Sequence, residues 1–429
     1  MIASILGWLV ASTQPKLNLD AIANDPRLAG GIAAMIVTDL RGGVLYEKNA
    51  DIRVMPASNQ KVFSCAFALS ELGAGYRPET RFWINDGNMV VDAVGDPTFT
   101  ADQLTQIRQT LRPRPGAIIS VRPAFRLEYP PSWEIDDTPF RYAPKIQPLT
   151  YNRGAFEVYA GPRGLERYDS AAGIRVKRGV ETGELGADYN AKKREITVRG
   201  AWPKERSRAA FVAMPDPMSS AARLLGGRLA EAETLPARPA DHIHVGPEMR
   251  QIVKDCLEPS DNMLAEHLLL LAAGKRLGKL GSDPYADAQR AMGDWYVRVV
   301  GGPANEIRPY DGSGMSRHNL ITSRAMARTL QWIHQQGFAE DFRVGLPSPG
   351  EGTLRSRLAG NPVEAKTGTI DLVSSLSGYV GKGERTLVFS VIFNHALCSS
   401  AVMRELQDKV VLELVKHVGS DEKVVVVRS

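Results

Sequence analysis

Two hairpin patterns stand near opposite ends of this 429-residue chain, and the stretch between them has a different texture. Ala33 to Asp39, a turn at Arg41-Gly-Gly43 and Val44-Leu-Tyr46 make the first. Leu372 to Val380 and Thr386 to Phe393, around Gly381-Lys-Gly383-Glu-Arg385, make the second. Helical patterns accompany them. Val62, Cys65, Leu69 and Leu72 recur at helical spacing and stop at Gly73; a Leu-rich run leads from Asn262 through Leu271 to about Ala273; a last helix is expected from about Ser400 to His417. Hairpins set among helices predict an α+β fold, an antiparallel sheet covered by helices.

Proline breaks up the middle, at Leu111-Arg-Pro-Arg-Pro-Gly116 and Tyr129-Pro-Pro131, between short strand-like pieces. Residues 82–206 are therefore read as an inserted, mostly-β domain. It interrupts a discontinuous main domain of residues 15–81 and 207–418, to which a helix-like run from Ser219 to Glu233 returns. Chain length agrees, because single hydrophobic cores stop growing at about 250–300 residues.

With 43% apolar and 24% charged residues the composition is that of an ordinary soluble protein. The formal charge of +5 comes from scattered Lys and Arg, which argues against a nucleic-acid partner. Cys65, Cys256 and Cys398 lack metal or redox spacing, and His242 and His244 have no ligand company, so neither a metal nor a cofactor is expected. A Cys65–Cys256 bridge stays open, since both lie near the motifs described next. Residues 1–14 have the apolar length of a signal peptide without its basic flank, and are too short for a transmembrane helix; export to the periplasm or cell envelope is the expectation. Residues 419–429 form a tail whose Lys423 to Arg428 run reads as an extra edge strand.

Three short motifs follow one another: Ser58-Asn-Gln-Lys61, Ser260-Asp-Asn262 and Lys366-Thr-Gly368. Ser58 opens a helix, where an N-cap serine is common. Lys61 spoils that explanation. A capping box wants Glu or Gln there, and a cation in the first turn opposes the helix dipole. The same field with burial favours the neutral amine, which a base three residues from a hydroxyl needs. Ser260 offers a second hydroxyl to relay a proton, and the Asn262 amide could hold Lys61 and a peptide carbonyl. Lys366 and Thr367 would bind a carboxylate, while Gly368 lets another backbone approach an expected strand edge. Backbone N–H groups of Ser58 and Thr369 could form an oxyanion hole. Ser313, in Asp311-Gly-Ser-Gly314, lacks the glycine that a nucleophile elbow requires two residues earlier.

In that order the trio resembles the signature of penicillin-recognising serine enzymes. Beyond it, the chain is similar almost throughout to the penicillin-binding protein 4 family of D-alanyl-D-alanine carboxypeptidase/endopeptidases. The likeness rests on Val94-Gly-Asp-Pro97, Pro259-Ser-Asp-Asn262 with Ala265-Glu266, and Tyr310-Asp-Gly-Ser-Gly-Met-Ser-Arg317-His-Asn-Leu320. Glu351-Gly-Thr-Leu-Arg355 and Ala365-Lys-Thr-Gly-Thr369 complete it. The resemblance implies a β-lactamase/transpeptidase-like fold. It also implies acylation of Ser58 by the D-Ala-D-Ala end of a peptidoglycan stem peptide, and covalent inhibition by β-lactams. It further implies an insert that helps to read the stem's side chain, which makes Trp133, Asp136 and Arg317 specificity candidates. The chain departs from the pattern twice. Only about 200 residues separate Ser58 from Ser260, and Asp371 stands where a neutral polar residue is expected, adding a carboxylate near the side-chain pocket.

Two other readings compete. A β-lactamase needs a deacylating base, yet no Glu-x-x-Asn loop follows Ser260-Asp-Asn262, and the tyrosine of class C enzymes is replaced by Ser260. A non-catalytic wall-binding protein could keep the fold, but would be expected to have lost one of Ser58, Lys61, Ser260, Asn262 or Lys366.

Overall fold

The computed structural model describes residues 17–166 and 169–420, and nine elements of its main body frame the sheet. They are β1 (Ile32–Asp39), β2 (Val44–Lys48), α1 (Gln60–Leu72), α2 (Asn262–Leu277), α3 (Ser323–His334), β3 (Val363–Ile370), β4 (Val373–Val380), β5 (Leu387–Asn394) and α4 (Ser400–Ser420). The strands form one antiparallel sheet in the order β3-β4-β5-β1-β2, so both expected hairpins lie in it. Every residue of β4 and β5 is buried, as in a sheet covered on both faces. Alternation along β1 shows the two faces. Ala34 and Ile36 pack among α1, α2 and α3, whereas Ala33, Met35 and Val37 join α4 in a separate core. Full burial of each large side chain contributes about 1.5–3 kcal/mol.

Three of the expected helices are found as α1, α2 and α4, with α2 one turn longer than expected, whereas α3, Met249–Leu257 and Pro284–Trp295 are helices that the sequence pattern leaves unread. The inserted region needs correction. Its five-stranded sheet joins Glu79–Asn85, Asn88–Ala93 and Ala117–Pro123 to Gly227–Glu231 and His242–Val245, so it reaches well beyond 82–206. What reads as one helix from Ser219 is a short helix, Pro217–Leu224, and then an edge strand. Gly226 at φ +98° ends the helix, and Gly227–Glu231 pairs in parallel with Ala117–Pro123. Ala221 and Ala222 sit in the insert's own core beside Phe82, Ile119 and Phe156. A helix that the proline-rich texture conceals, Ala101–Leu111, starts at a capping box of Thr100 and Gln103.

Cys65 and Cys256 are both free and fully buried. Residues 1–14 and the 423–428 run lie outside the described residues. Among the described residues no helix is long and apolar enough to cross a membrane.

Candidate active site

Ser58 lies in a tight turn, Ala57–Asn59, that leads into α1. Ala57 adopts φ +48°, a left-handed conformation that costs an L-residue roughly 1–2 kcal/mol. The surroundings hold it there. Asn394, at the end of β5, accepts from the Met55 N–H (2.8 Å) and donates to the Met55 carbonyl (3.0 Å). Ser375 Oγ donates to the Pro56 carbonyl (2.7 Å). Gly314 fits against the Ala57 carbonyl where a Cβ could not. Gly368 does the same on β3: a Cβ there would lie 2.8 Å from the Ser58 nitrogen and 3.0 Å from the Pro56 oxygen. Only glycine lets this edge strand come so close to the turn.

Lys61, on the first turn of α1, is fully buried. Its Nζ donates to Ser58 Oγ (2.9 Å), Asn262 Oδ1 (2.7 Å) and the Ser313 carbonyl (2.8 Å), which uses all three protons of an ammonium. Burial pushes its pKa below the ordinary lysine value, opposed by the nearby acidic groups, among them Asp311 and Glu266. Lys366 is also fully buried and donates to Ser260 Oγ (2.9 Å) and to the Thr367 carbonyl (2.9 Å). Burial, then repulsion from Lys61, lowers it to about 7. Ser260 itself sits at φ +64°, and Asp261 caps α2 through the Leu264 N–H (2.9 Å). The three motifs thus meet in two sets of contacts, Ser58–Lys61–Asn262 and Ser260–Lys366, both of which include a residue of the second motif.

The Asn262 amide is already engaged on its donor side. Nδ2 donates to the Tyr142 carbonyl (2.8 Å) and lies 2.9 Å from Met315 Sδ. The insert therefore occupies this donor.

A cleft of 400 Å³ opens over Ser58, with Ser260, Asn262, Met315 and Thr369 in its lining and Glu134, Asp137, Tyr142, Arg317 and Asp371 around it. Arg317 donates to Glu134 Oε1 (2.9 Å) and to the Asp371 carbonyl (3.1 Å). Three residues singled out in the sequence stand elsewhere. Trp133 turns inward, its Nε1 donating to Asp311 (3.0 Å) and its ring packed against the core. Asp136 is exposed and off the cleft lining, which takes its neighbours Glu134 and Asp137 instead. Thr367 alternates away from Lys366 along β3 and donates to Thr353 Oγ1 (2.6 Å).

Two buried carboxylates that the motifs do not assign a role shape the loop opposite Lys61. Asp311 accepts from the N–H groups of Gly314 (2.7 Å) and Ser316 (2.7 Å), from Asn319 Nδ2 (2.7 Å) and from Trp133. Glu266, on α2, accepts from Tyr285 Oη (2.7 Å) and the N–H groups of Gly312 (2.8 Å) and Ser313 (2.8 Å). Burial raises the pKa of both, and these donors oppose the rise. Together they fix the Asp311–Ser316 loop so that the Ser313 carbonyl faces Lys61. A signal for Glu266 exists in the sequence: it is an acid inside an apolar helix with no Lys or Arg three or four positions away.

Comparison with known proteins finds relatives in sequence and in fold. The chain is 26% identical to a D-alanyl-D-alanine carboxypeptidase from an Actinomadura species, over 95% of this chain and 85% of that one. Penicillin binding protein 4 from Haemophilus influenzae has a similar fold, with a TM-score of 0.73, 19% identity and coverage of 94% of this chain and 99% of that one. A penicillin G acylated predatory endopeptidase from Bdellovibrio bacteriovorus matches with a TM-score of 0.53 and 14% identity, covering 89% and 92%. The model of the D-Ala-D-Ala carboxypeptidase 3 (S13) family matches residues 16–416. A match that runs over nearly the whole chain, and takes in both the Ser58–Lys61 and the Ser260–Lys366 contacts, places it in the D-Ala-D-Ala carboxypeptidase 3 (S13) family of serine hydrolases.

Proposed function

We propose that Ser58 is the nucleophile of a DD-carboxypeptidase and DD-endopeptidase acting on peptidoglycan stem peptides. The observation that carries this is the 2.9 Å contact between a fully buried Lys61 and Ser58 Oγ. Neutral Lys61 takes the Ser58 proton as Oγ bonds to the carbonyl carbon of the D-Ala-D-Ala bond. The N–H groups of Ser58 and Thr369 receive the oxyanion. Ser260, backed by Lys366, passes a proton to the leaving nitrogen, and D-alanine or a cross-linked stem departs. Water then takes the place of the amine and hydrolyses the ester. Asn262 exchanges its Tyr142 contact for the substrate carbonyl, and Lys366 supplies the charge that meets the terminal carboxylate. Such a substrate lies in the cell wall, so the chain acts in the periplasm or cell envelope.

A fluorescent penicillin tests the assignment. Stable covalent label on the wild type and none on Ser58→Ala is expected. Equal label on both would remove Ser58 from the mechanism, and rapid turnover of the drug would favour the β-lactamase reading.

The cleft also suggests which stem is preferred. Glu134, Asp137 and Asp371 share the cleft with a single guanidinium, Arg317, which is bonded to Glu134 and the Asp371 backbone and lies 3.8 Å from the Asp371 carboxylate, while Asp137 accepts from Tyr142 Oη. That rim is net negative and suits a third residue that ends in an amine. Exposed charge pairs are worth about 0.2–1 kcal/mol. A stem peptide with lysine at position three is therefore expected to show a kcat/KM roughly two- to fivefold above its alanine counterpart, and Asp371→Asn to narrow that ratio. Equal values for the two peptides in the wild type would dismiss the preference.

A further inference from the structure

We propose that Arg153, on the inserted region, is a positioning residue for the second motif: it holds Asp261 and thereby the turn that aims Ser260 and Asn262. The proposal rests on the acyl-transfer reading above and adds to it a point of control outside the catalytic body.

The turn needs holding. Ser260 stands in the left-handed region at φ +64°, which a residue with a β-carbon keeps only when its surroundings over-determine it. Its backbone supports are the Ser260 N–H on the Leu257 carbonyl (3.3 Å) and the Asp261 N–H on the Cys256 carbonyl (2.9 Å). Side chains add to these: Lys366 Nζ donates to Ser260 Oγ (2.9 Å), Cys256 Sγ lies 3.6 Å from the Asp261 carbonyl, and the Asp261 carboxylate reaches both ways. One oxygen caps α2 at Leu264 (2.9 Å), and the other accepts from Arg153 Nη1 (3.2 Å). Arg153 Nη2 donates to Asp255 (3.2 Å), on the helix Met249–Leu257 that runs into the turn. Asp255 is in turn held by Gln251 Nε2 (2.8 Å). One guanidinium therefore bridges the helix before Ser260 and the helix after it, a task that suits a planar fork.

The insert is itself bent to deliver this side chain. Asn152, Arg153 and Gly154 have φ of +48°, +55° and +62°, three left-handed residues in succession. The Asn152 N–H donates to the Phe99 carbonyl (2.8 Å), its Oδ1 accepts from the Ala101 N–H (3.2 Å), and the Met214 N–H donates to the Gly154 carbonyl (2.8 Å). A Cβ on Gly154 would lie 2.9 Å from Pro144. A solvated surface pair has no need of such a bend. Here a strained segment of one domain meets a strained turn of the other through one side chain.

The test measures acylation of the full chain by a fluorescent penicillin under stopped flow, separating the dissociation constant of the first complex from the acylation rate constant. Arg153→Ala is expected to slow acylation about tenfold, which corresponds to about 1.4 kcal/mol in the barrier. Its dissociation constant should stay within about twofold, because Arg153 does not line the cleft over Ser58. Arg153→Lys, which keeps the charge and the fold, should recover part of the rate. Arg153→Ala added to Asp261→Asn should cost less than the product of the two single losses, since the two residues share one contact. An unchanged rate in Arg153→Ala, or losses that multiply in the double variant, would overturn the proposal. Should the alanine variant not fold, Arg153→Gln is measured instead, and wild-type rates in it overturn the proposal equally. Label on the wild type keeps the two ideas apart: with it, an unaffected Arg153 variant defeats this inference alone, and without it the acyl-transfer reading falls and takes this inference with it.

Discussion

Replacing Lys61 by alanine is expected to slow acylation of Ser58 by about 10²–10⁴-fold, the range that a positioned general base supplies. Lys61→Arg separates the base from the clamp. A guanidinium can still donate to Asn262 Oδ1 and the Ser313 carbonyl, but it does not give up its proton, so the arginine variant should be nearly as slow. Stopped-flow acylation by a penicillin reads both, and an arginine variant within threefold of wild type would show that Lys61 works by charge and not as a base.

The pH profile follows from the two lysines with opposite signs. Burial lowers the Lys61 pKa, so the neutral amine gains population as pH rises, and acylation climbs with it. Lys366 must stay charged to hold a carboxylate, and its pKa, lowered to about 7 by burial and by Lys61, means that this charge is lost as pH rises past neutrality. The rate constant should therefore pass through a maximum. The descending limb should be missing in Lys366→Arg, which keeps its proton. A profile in which that variant retains the limb would clear Lys366 of causing it.

The second large effect concerns stability. Asp311→Ala removes a fully buried carboxylate that accepts four hydrogen bonds, from Gly314, Ser316, Asn319 and Trp133. Each donor left without a partner costs about 1–3 kcal/mol before water or rearrangement recovers part of it. A net loss of about 3–5 kcal/mol is expected, on the scale seen when one partner of a buried charged pair is removed. Urea denaturation measures it. Acylation should fall in the molecules that remain folded, because the loop no longer holds the Ser313 carbonyl against Lys61. A midpoint and acylation rate equal to wild type would show that the loop stands without its carboxylate.

Much of this site was legible in the residues because its chemistry conflicts with local preference. Lys61 is a poor residue for the first turn of a helix, and Gly368 a poor one for a strand; each conflict is resolved by a contact made from far along the chain. The sheet was legible for the opposite reason, since β1 and β5 are largely apolar runs that follow or precede turn residues. The insert was hard to read. Gly227–Glu231 is only partly buried on an edge, so its apolar spacing does not distinguish a strand from the end of a helix. The side-chain candidates near position 135 erred by one or two residues. Trp133 had a buried acid to pair with, a fact that depends on Asp311 being 178 positions away in sequence and adjacent in space. Glu266 stands out as an acid in an apolar helix, but its role and that of Asp311 become visible only once their donors are.

The order of strands across the main sheet also bears on when this protein can act. β1 and β2 come from the start of the chain and β3, β4 and β5 from its end, and the turn that bears Ser58 is tied to Asn394, 339 positions later. Contacts that distant form late, after the chain has lost the most entropy in bringing its ends together. During synthesis the serine and its lysine emerge early and wait, one turn apart, without the strand that shapes their surroundings. A chain stopped just short of residue 394 holds all three motifs and still lacks the side chain that ties Met55, beside the Ser58 turn, to the sheet.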